Sequence, residues 1–187
     1  MSYKVKIKKG NLLSEKDATF MVNASNTILS LGSGVSMAFK RHCGMQLQKE
    51  MIHQLQTIGK LQKGDCAITL SGEATNFLYT LHIAVMDYNR GVRGKEKLPT
   101  LQNIEDGLKN LQQYLVWYAK KSQKEVKVVL PLLGCGVGGL DKEDVIKLYR
   151  EFFTQEFKYE CEVVIYGYSE DDYTLLQSYF KGVENVK

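Results

Sequence analysis

The sequence predicts an α/β fold, a three-layer sandwich in which a mixed sheet lies between helices. Two patterns carry that prediction. Short apolar runs rich in β-branched residues alternate with amphipathic helical stretches along the chain, and glycine-rich segments follow strands and precede helices.

Taken in order, alternation from Tyr3 to Ile7 predicts a first strand, and Thr19 to Ala24 a second, more deeply buried one. Val35, Ala38 and Phe39 lie at helical spacing, and Leu47, Met51 and Leu55 continue it beyond Gly44. Cys66 to Leu70 and Tyr79 to Val85 read as two strands joined through Ser71-Gly72. A long amphipathic helix follows, with Leu101, Ile104, Leu108, Leu111 and Leu115 on one face. Val126 to Leu133 is apolar nearly throughout, the mark of a central strand covered on both faces. A helix from Asp141 to Phe153, a strand from Glu162 to Tyr166 and a helix from Glu170 to Tyr179 complete the series.

Bulk properties fit one domain spanning residues 1–187, with 44% apolar and 25% charged residues and a mild net charge of +4. That charge favours an anionic ligand but falls far short of a nucleic-acid-binding stripe. Cys43, Cys66, Cys135 and Cys161 show no CxxC pairing and no interleaved histidines, so the pattern supports neither a metal site nor a disulfide framework. A reducing, cytoplasmic setting is the expectation. The first residues lack an apolar signal core, and no run approaches the roughly 18 to 20 apolar residues that span a bilayer, so no membrane partner is expected. Nothing in the composition calls for a cofactor.

The most informative stretch is Val22-Asn23-Ala24-Ser25-Asn26, followed by Gly32-Ser33-Gly34-Val35-Ser36. It reads as a strand running into amides, then a glycine loop, then a helix. Backbone N–H groups at a helix N-terminus lack intrahelical partners and face the positive end of the dipole, so such a junction holds an anion without any lysine. The amides add groups suited to sugar hydroxyls. A second loop, Gly134-Cys135-Gly136-Val137-Gly138-Gly139, occupies the equivalent place after the strand ending at Leu133. In open α/β sheets ligands bind beyond the carboxyl ends of strands, so two such loops can grip a diphosphate from opposite sides. Neither is followed by Gly-Lys-Ser/Thr, and neither has GxGxxG spacing, which argues against ATP hydrolysis and hydride transfer.

With these segments in this order, the chain resembles the macro-domain family, which binds ADP-ribose. The resemblance rests on Gly10-Asn11-Leu12-Leu13, Val22 to Asn26, Gly32 to Phe39, Gly64 to Thr69 with His82, Pro131 to Gly139, and Tyr168 to Tyr173. It implies a mixed sheet of about six strands. It also implies that Asn11, beside Leu12, stands where an aspartate usually meets the adenine amino group, and that Tyr168 packs on the adenine. Asn26, at the end of a strand that includes Ala24, is placed on the distal ribose. The segment from Gly32 to Ser36 wraps the diphosphate and that ribose, with Gly134 to Gly139 as the opposing lip.

Two departures bear on chemistry. Hydrolases of one branch often carry an aspartate at the position of Ser36 and an aromatic at Gly138. The second loop looks closer to members that remove ADP-ribose from DNA or from carboxylate esters. Those use a lysine after the strand Tyr79 to Val85, where this chain has Met86-Asp87, with Lys95 and Lys97 further along. Asp87 is therefore the acid/base candidate beside Asn26. Asn23 reads as structural, His82 as a core histidine, Cys135 as a small residue beneath a phosphate rather than a nucleophile, and Trp117 as packing. Three readings stand: hydrolysis of an ADP-ribosyl bond, a non-catalytic reader of ADP-ribose on protein or nucleic acid, and a nucleic-acid-binding module.

Overall fold

The computed structural model describes residues 2–32 and 34–183. Six strands and four α-helices follow the order β1 (Tyr3–Lys9), β2 (Ala18–Asn26), α1 (Val35–Ile58), β3 (Cys66–Leu70), β4 (Phe77–Met86), α2 (Leu101–Ser122), β5 (Val126–Leu130), α3 (Lys142–Phe153), β6 (Cys161–Gly167) and α4 (Glu170–Phe180). The sheet order is β1-β6-β5-β2-β4-β3. All neighbours pair in parallel except β3, which runs antiparallel to β4. The mixed sheet and its flanking helices are the predicted three-layer arrangement. Five parallel strands place their carboxyl ends along one rim, and the loops of interest leave from that rim.

Side-chain period explains the layering. Along β2, Phe20 and Val22 face a cluster with Ile104, Leu108 and Leu111 of α2 and with Tyr149 of α3. Met21 faces the opposite way, toward Phe39, Leu47 and Met51 of α1. One helix thus covers one face and three cover the other, and the central strands are buried on both sides as their continuous apolar sequence requires.

Two elements differ from the periodicity reading. β5 stops at Leu130 rather than Leu133, because Pro131 has no N–H to give the ladder. The buried Tyr149 hydroxyl takes over there, accepting from Leu133 N at 2.9 Å and donating to Pro131 O at 2.6 Å. In α1 the helix breaks at Gly44, with φ 69° and ψ −173°. The left-handed φ suits only glycine, and a Cβ there would lie 2.1 Å from Glu73 Oε2. The turn after β3 occupies that break, with Glu73 N donating to Cys43 O at 2.9 Å.

Both sheet edges are protected. On β1 exposed lysines alternate with buried Tyr3, Val5 and Ile7. On β3 the outward backbone groups meet side chains instead of another strand: Leu70 N donates to Glu50 Oε2 (3.1 Å), Ile68 O accepts from Gln54 Nε2 (2.8 Å), and Cys66 O accepts from the Tyr114 hydroxyl (3.3 Å). Glu50→Ala combined with Gln54→Ala uncovers a strand edge that also bears the exposed Leu70. The expected result is concentration-dependent self-association by light scattering, with an unchanged far-UV spectrum at low concentration.

Candidate ligand cleft

The cleft is built at the carboxyl rim where β2 leads into α1 and β5 into α3. The N-cap of α1 is Gly34, which supplies no side-chain hydrogen bond, and no acidic residue occupies the first turn. The other three helices begin differently. Thr100 caps α2, Asp141 caps α3 and Ser169 caps α4, each accepting from a first-turn N–H. Among the described residues, no side chain caps the positive end of α1.

Two adjoining cavities open there, and both are bordered by Gly34 and Val35. The first, about 170 Å³, runs from Ala24, Asn26 and Ser36 across to Tyr88 and to Gly134, Gly136, Val137 and Gly138. The second, about 540 Å³, extends to Asn11, Leu12, Met37, Arg41, Pro131 and Tyr168. One continuous trough thus joins most of the residues that the sequence assigned to ligand binding, from Asn11 and Tyr168 at one end to Asn26 at the other. Gly32 also borders the first cavity. Ser33 lies outside the described residues. A hollow of about 620 Å³ beside β3, between Ile58, Tyr114 and Trp117, shares no residue with the trough.

A buried polar chain underlies the α1 junction. Ser36, 4% exposed, turns its hydroxyl toward β2, within 3.0 Å of Ala24 O and 3.1 Å of Asn23 Oδ1. Asn23 Nδ2 donates to His82 Nδ1 at 3.1 Å. That contact places the imidazole proton on Nε2, which lies 2.9 Å from Thr69 Oγ1. The threonine proton passes on to Leu70 O at 2.9 Å. Burial lowers the His82 pKa to about 3, so the ring stays neutral. The chain pins the first turn of α1 to three strands, leaving the backbone of Ser36, rather than its hydroxyl, to meet a ligand.

Several side chains take places that the sequence did not indicate. Asn26 Oδ1 accepts from Ile28 N (3.2 Å) and Ser30 N (3.1 Å), and Nδ2 donates to Ser30 O (2.9 Å). The amide shapes its own loop and keeps one N–H for the cavity it borders. Asn11 Oδ1 caps the short helical turn at Leu12–Ser14 by accepting from Leu13 N at 3.0 Å, which leaves its Nδ2 donors facing outward. Asp87 is not brought to the trough: Oδ1 accepts from Thr27 Oγ1 (3.1 Å) and Asn89 N (3.0 Å), and the flanking Met86 and Tyr88 line the cavity instead. Cys135 borders neither cavity. Its thiol packs against the core below the loop, and burial pushes it up to about 12, far from a thiolate nucleophile. Gly139 sits at the loop's exit, where its N–H bonds Gly136 O at 3.1 Å.

Two residues escaped sequence reasoning. Tyr149 fixes the entry to the second glycine loop, yet in sequence it is one more apolar position of α3; its hydroxyl was the available signal. Ser25, on β2 at the floor of the smaller cavity, buries a hydroxyl that has no hydrogen-bond partner among the described residues.

An uncapped helix start facing a glycine loop at the carboxyl rim of a largely parallel sheet defines the class: an α/β protein with a cleft at the carboxyl rim of its sheet. The macro-domain family description matches residues 22–149, more than half of the chain, and the chain belongs to that family. It is 29% identical over 184 residues to an uncharacterized protein of Sulfurisphaera tokodaii, covering 95% of this chain and 91% of that one. Its fold is similar to that of an Oceanobacillus iheyensis macrodomain solved with ADP, with a TM-score of 0.76, 20% identity and coverage of 96% and 90% of the two chains. It is also similar to a Trypanosoma brucei macrodomain solved in complex with ADP-ribose, with a TM-score of 0.68, 18% identity and coverage of 93% and 68%.

Proposed function

We propose that this protein binds ADP-ribose, free or attached to a protein or nucleic acid, and acts first as a reader of that group. The observation that carries the reading is the uncapped start of α1 opening onto a trough whose far wall is the loop from Gly134 to Gly138. A diphosphate seated there receives backbone N–H groups from both sides and the positive end of the α1 dipole. The larger cavity, bordered by Asn11 and Tyr168, takes the adenosine; the smaller, with Asn26, takes the distal ribose.

Reading rather than turnover is favoured by the composition of the distal cavity. Among its described lining residues Tyr88 is the only ionisable side chain, and Ser36 stands there instead of a carboxylate. A water held by Asn26 is the route left for hydrolysis, since that amide is rigidly set by three hydrogen bonds. Activated leaving groups suit such a site, namely a carboxylate ester or a nucleobase, in keeping with the likeness of the second loop to the DNA- and ester-directed branch.

Calorimetry with ADP-ribose, ADP and a single-stranded oligonucleotide tests the binding. Heat with the first two and none with the oligonucleotide is expected; silence with ADP-ribose sinks the proposal. Turnover assays on ester-linked protein and on ADP-ribosylated DNA then separate reader from hydrolase. If product forms, Asn26→Ala should slow it at least tenfold, whereas Asp87→Asn should leave the rate within about twofold.

A further inference from the structure

We propose that Arg41 makes the adenosine end of the trough selective for ADP-ribose that carries a phosphomonoester on its adenosine ribose. The inference rests on the ADP-ribose reading above. Arg41 borders the larger cavity together with Met37, one turn earlier on α1, and with Asn11 and Tyr168 on the other side. Among the described residues this cavity has no carboxylate in its lining. Lys8 and Lys127 pair with Glu15, and Lys9 with Glu170. Arg41 has no ion pair and no hydrogen bond among the described residues. An arginine beside a ligand cavity, with no counter-charge among the described residues, suits an anionic group.

Position decides which anion it receives. Arg41 lies six residues beyond Val35, roughly 9 Å further along the helix axis at 1.5 Å per residue. The uncapped α1 start already serves the diphosphate, so the guanidinium meets the adenosine half. Adenosine itself bears no charge. A phosphate ester on its ribose supplies one, as a near-dianion at neutral pH, and its oxygens match the planar fork of guanidinium donors. No bond is made or broken in this recognition.

The test is calorimetry with ADP-ribose and with ADP-ribose 2′-phosphate, on the wild type and on Arg41→Gln, at 50 and 300 mM salt. Arg41 is exposed, so the variant should keep the wild-type melting temperature. The wild type is expected to bind the 2′-phosphate about tenfold tighter at low salt, with the preference shrinking at high salt. Arg41→Gln should bind both ligands alike while keeping wild-type affinity for ADP-ribose within about twofold. Equal wild-type affinities overturn the proposal, as does an Arg41→Gln variant that weakens both ligands equally, which makes Arg41 a contact to the unmodified nucleotide. A preference for a 2′-linked ADP-ribose dimer over the monoester likewise overturns it. No binding of ADP-ribose by the wild type is a different failure, that of the underlying reading.

Discussion

Gly138→Val is expected to abolish measurable ADP-ribose binding while leaving the protein folded. A Cβ at this position would lie 2.6 Å from Gly134 O and 2.8 Å from the Pro99 ring. Neither neighbour yields easily. Gly134 O accepts from Leu140 N at 3.0 Å within the same loop, and Pro99 immediately precedes the Thr100 cap of α2. The loop must therefore move, and the surface it presents to the trough moves with it. Overpacking of this kind costs on the order of 1–3 kcal/mol in stability. On the proposed reading the binding cost is larger, because the backbone donors that would meet the diphosphate lose their geometry together: a loss of at least ~100-fold, about 3 kcal/mol, is expected by calorimetry. A variant that binds as the wild type does would mean that the loop is no part of the site.

His82→Leu is expected to give the largest loss of stability among single substitutions at the site. It strips buried Asn23 Nδ2 of its partner and Thr69 Oγ1 of one of its two, the bond to Leu70 O remaining, at about 1–3 kcal/mol for the former and less for the latter. A total near 3 kcal/mol corresponds to a melting temperature lower by roughly 6–12 °C for a domain of this size. Ser36 loses part of its anchorage as well, so affinity for ADP-ribose should fall several-fold. The substitution also changes the response to acid. Burial lowers the His82 pKa from 6.5 to about 3, so between those values the unfolded chain takes up a proton that the folded protein refuses. The stability contributed by the neutral ring is fully present above pH 6.5 and is lost as pH falls toward 3, at up to about 1.4 kcal/mol per unit. Urea unfolding at pH 7 and pH 5 should show a His82-dependent loss of about 2 kcal/mol that His82→Leu lacks. Identical pH profiles for the two proteins would refute this account of the ring.

Much of this site was legible in the sequence because it is made of backbone. Glycines at 32, 34, 134, 136, 138 and 139, next to apolar strands, announce loops that approach a ligand closely, and those loops meet across the trough. Charged and polar side chains were harder to place. Asp87 stands two residues from the distal cavity's Val85 in sequence, yet its carboxylate is spent on Thr27 and Asn89. Asn26 was placed at a ribose by the family resemblance, and the fold shows most of its amide committed to the loop ahead of it. Hydrogen bonding of this sort depends on backbone directions that residue type does not encode.

The sequence by itself determined the alternation of strands and helices, the sheet between helical layers, and the two glycine loops, because hydrophobic period and glycine placement act locally. Tertiary structure alone decided what those loops face. It brought Tyr149 of α3 under the second loop, joined Thr69, His82, Asn23 and Ser36 from four elements into one buried chain, and set Arg41 opposite Tyr168 across some 130 residues of sequence. Those relations arise from strand order and layer packing, in which residues far apart along the chain become neighbours, and no local pattern records them.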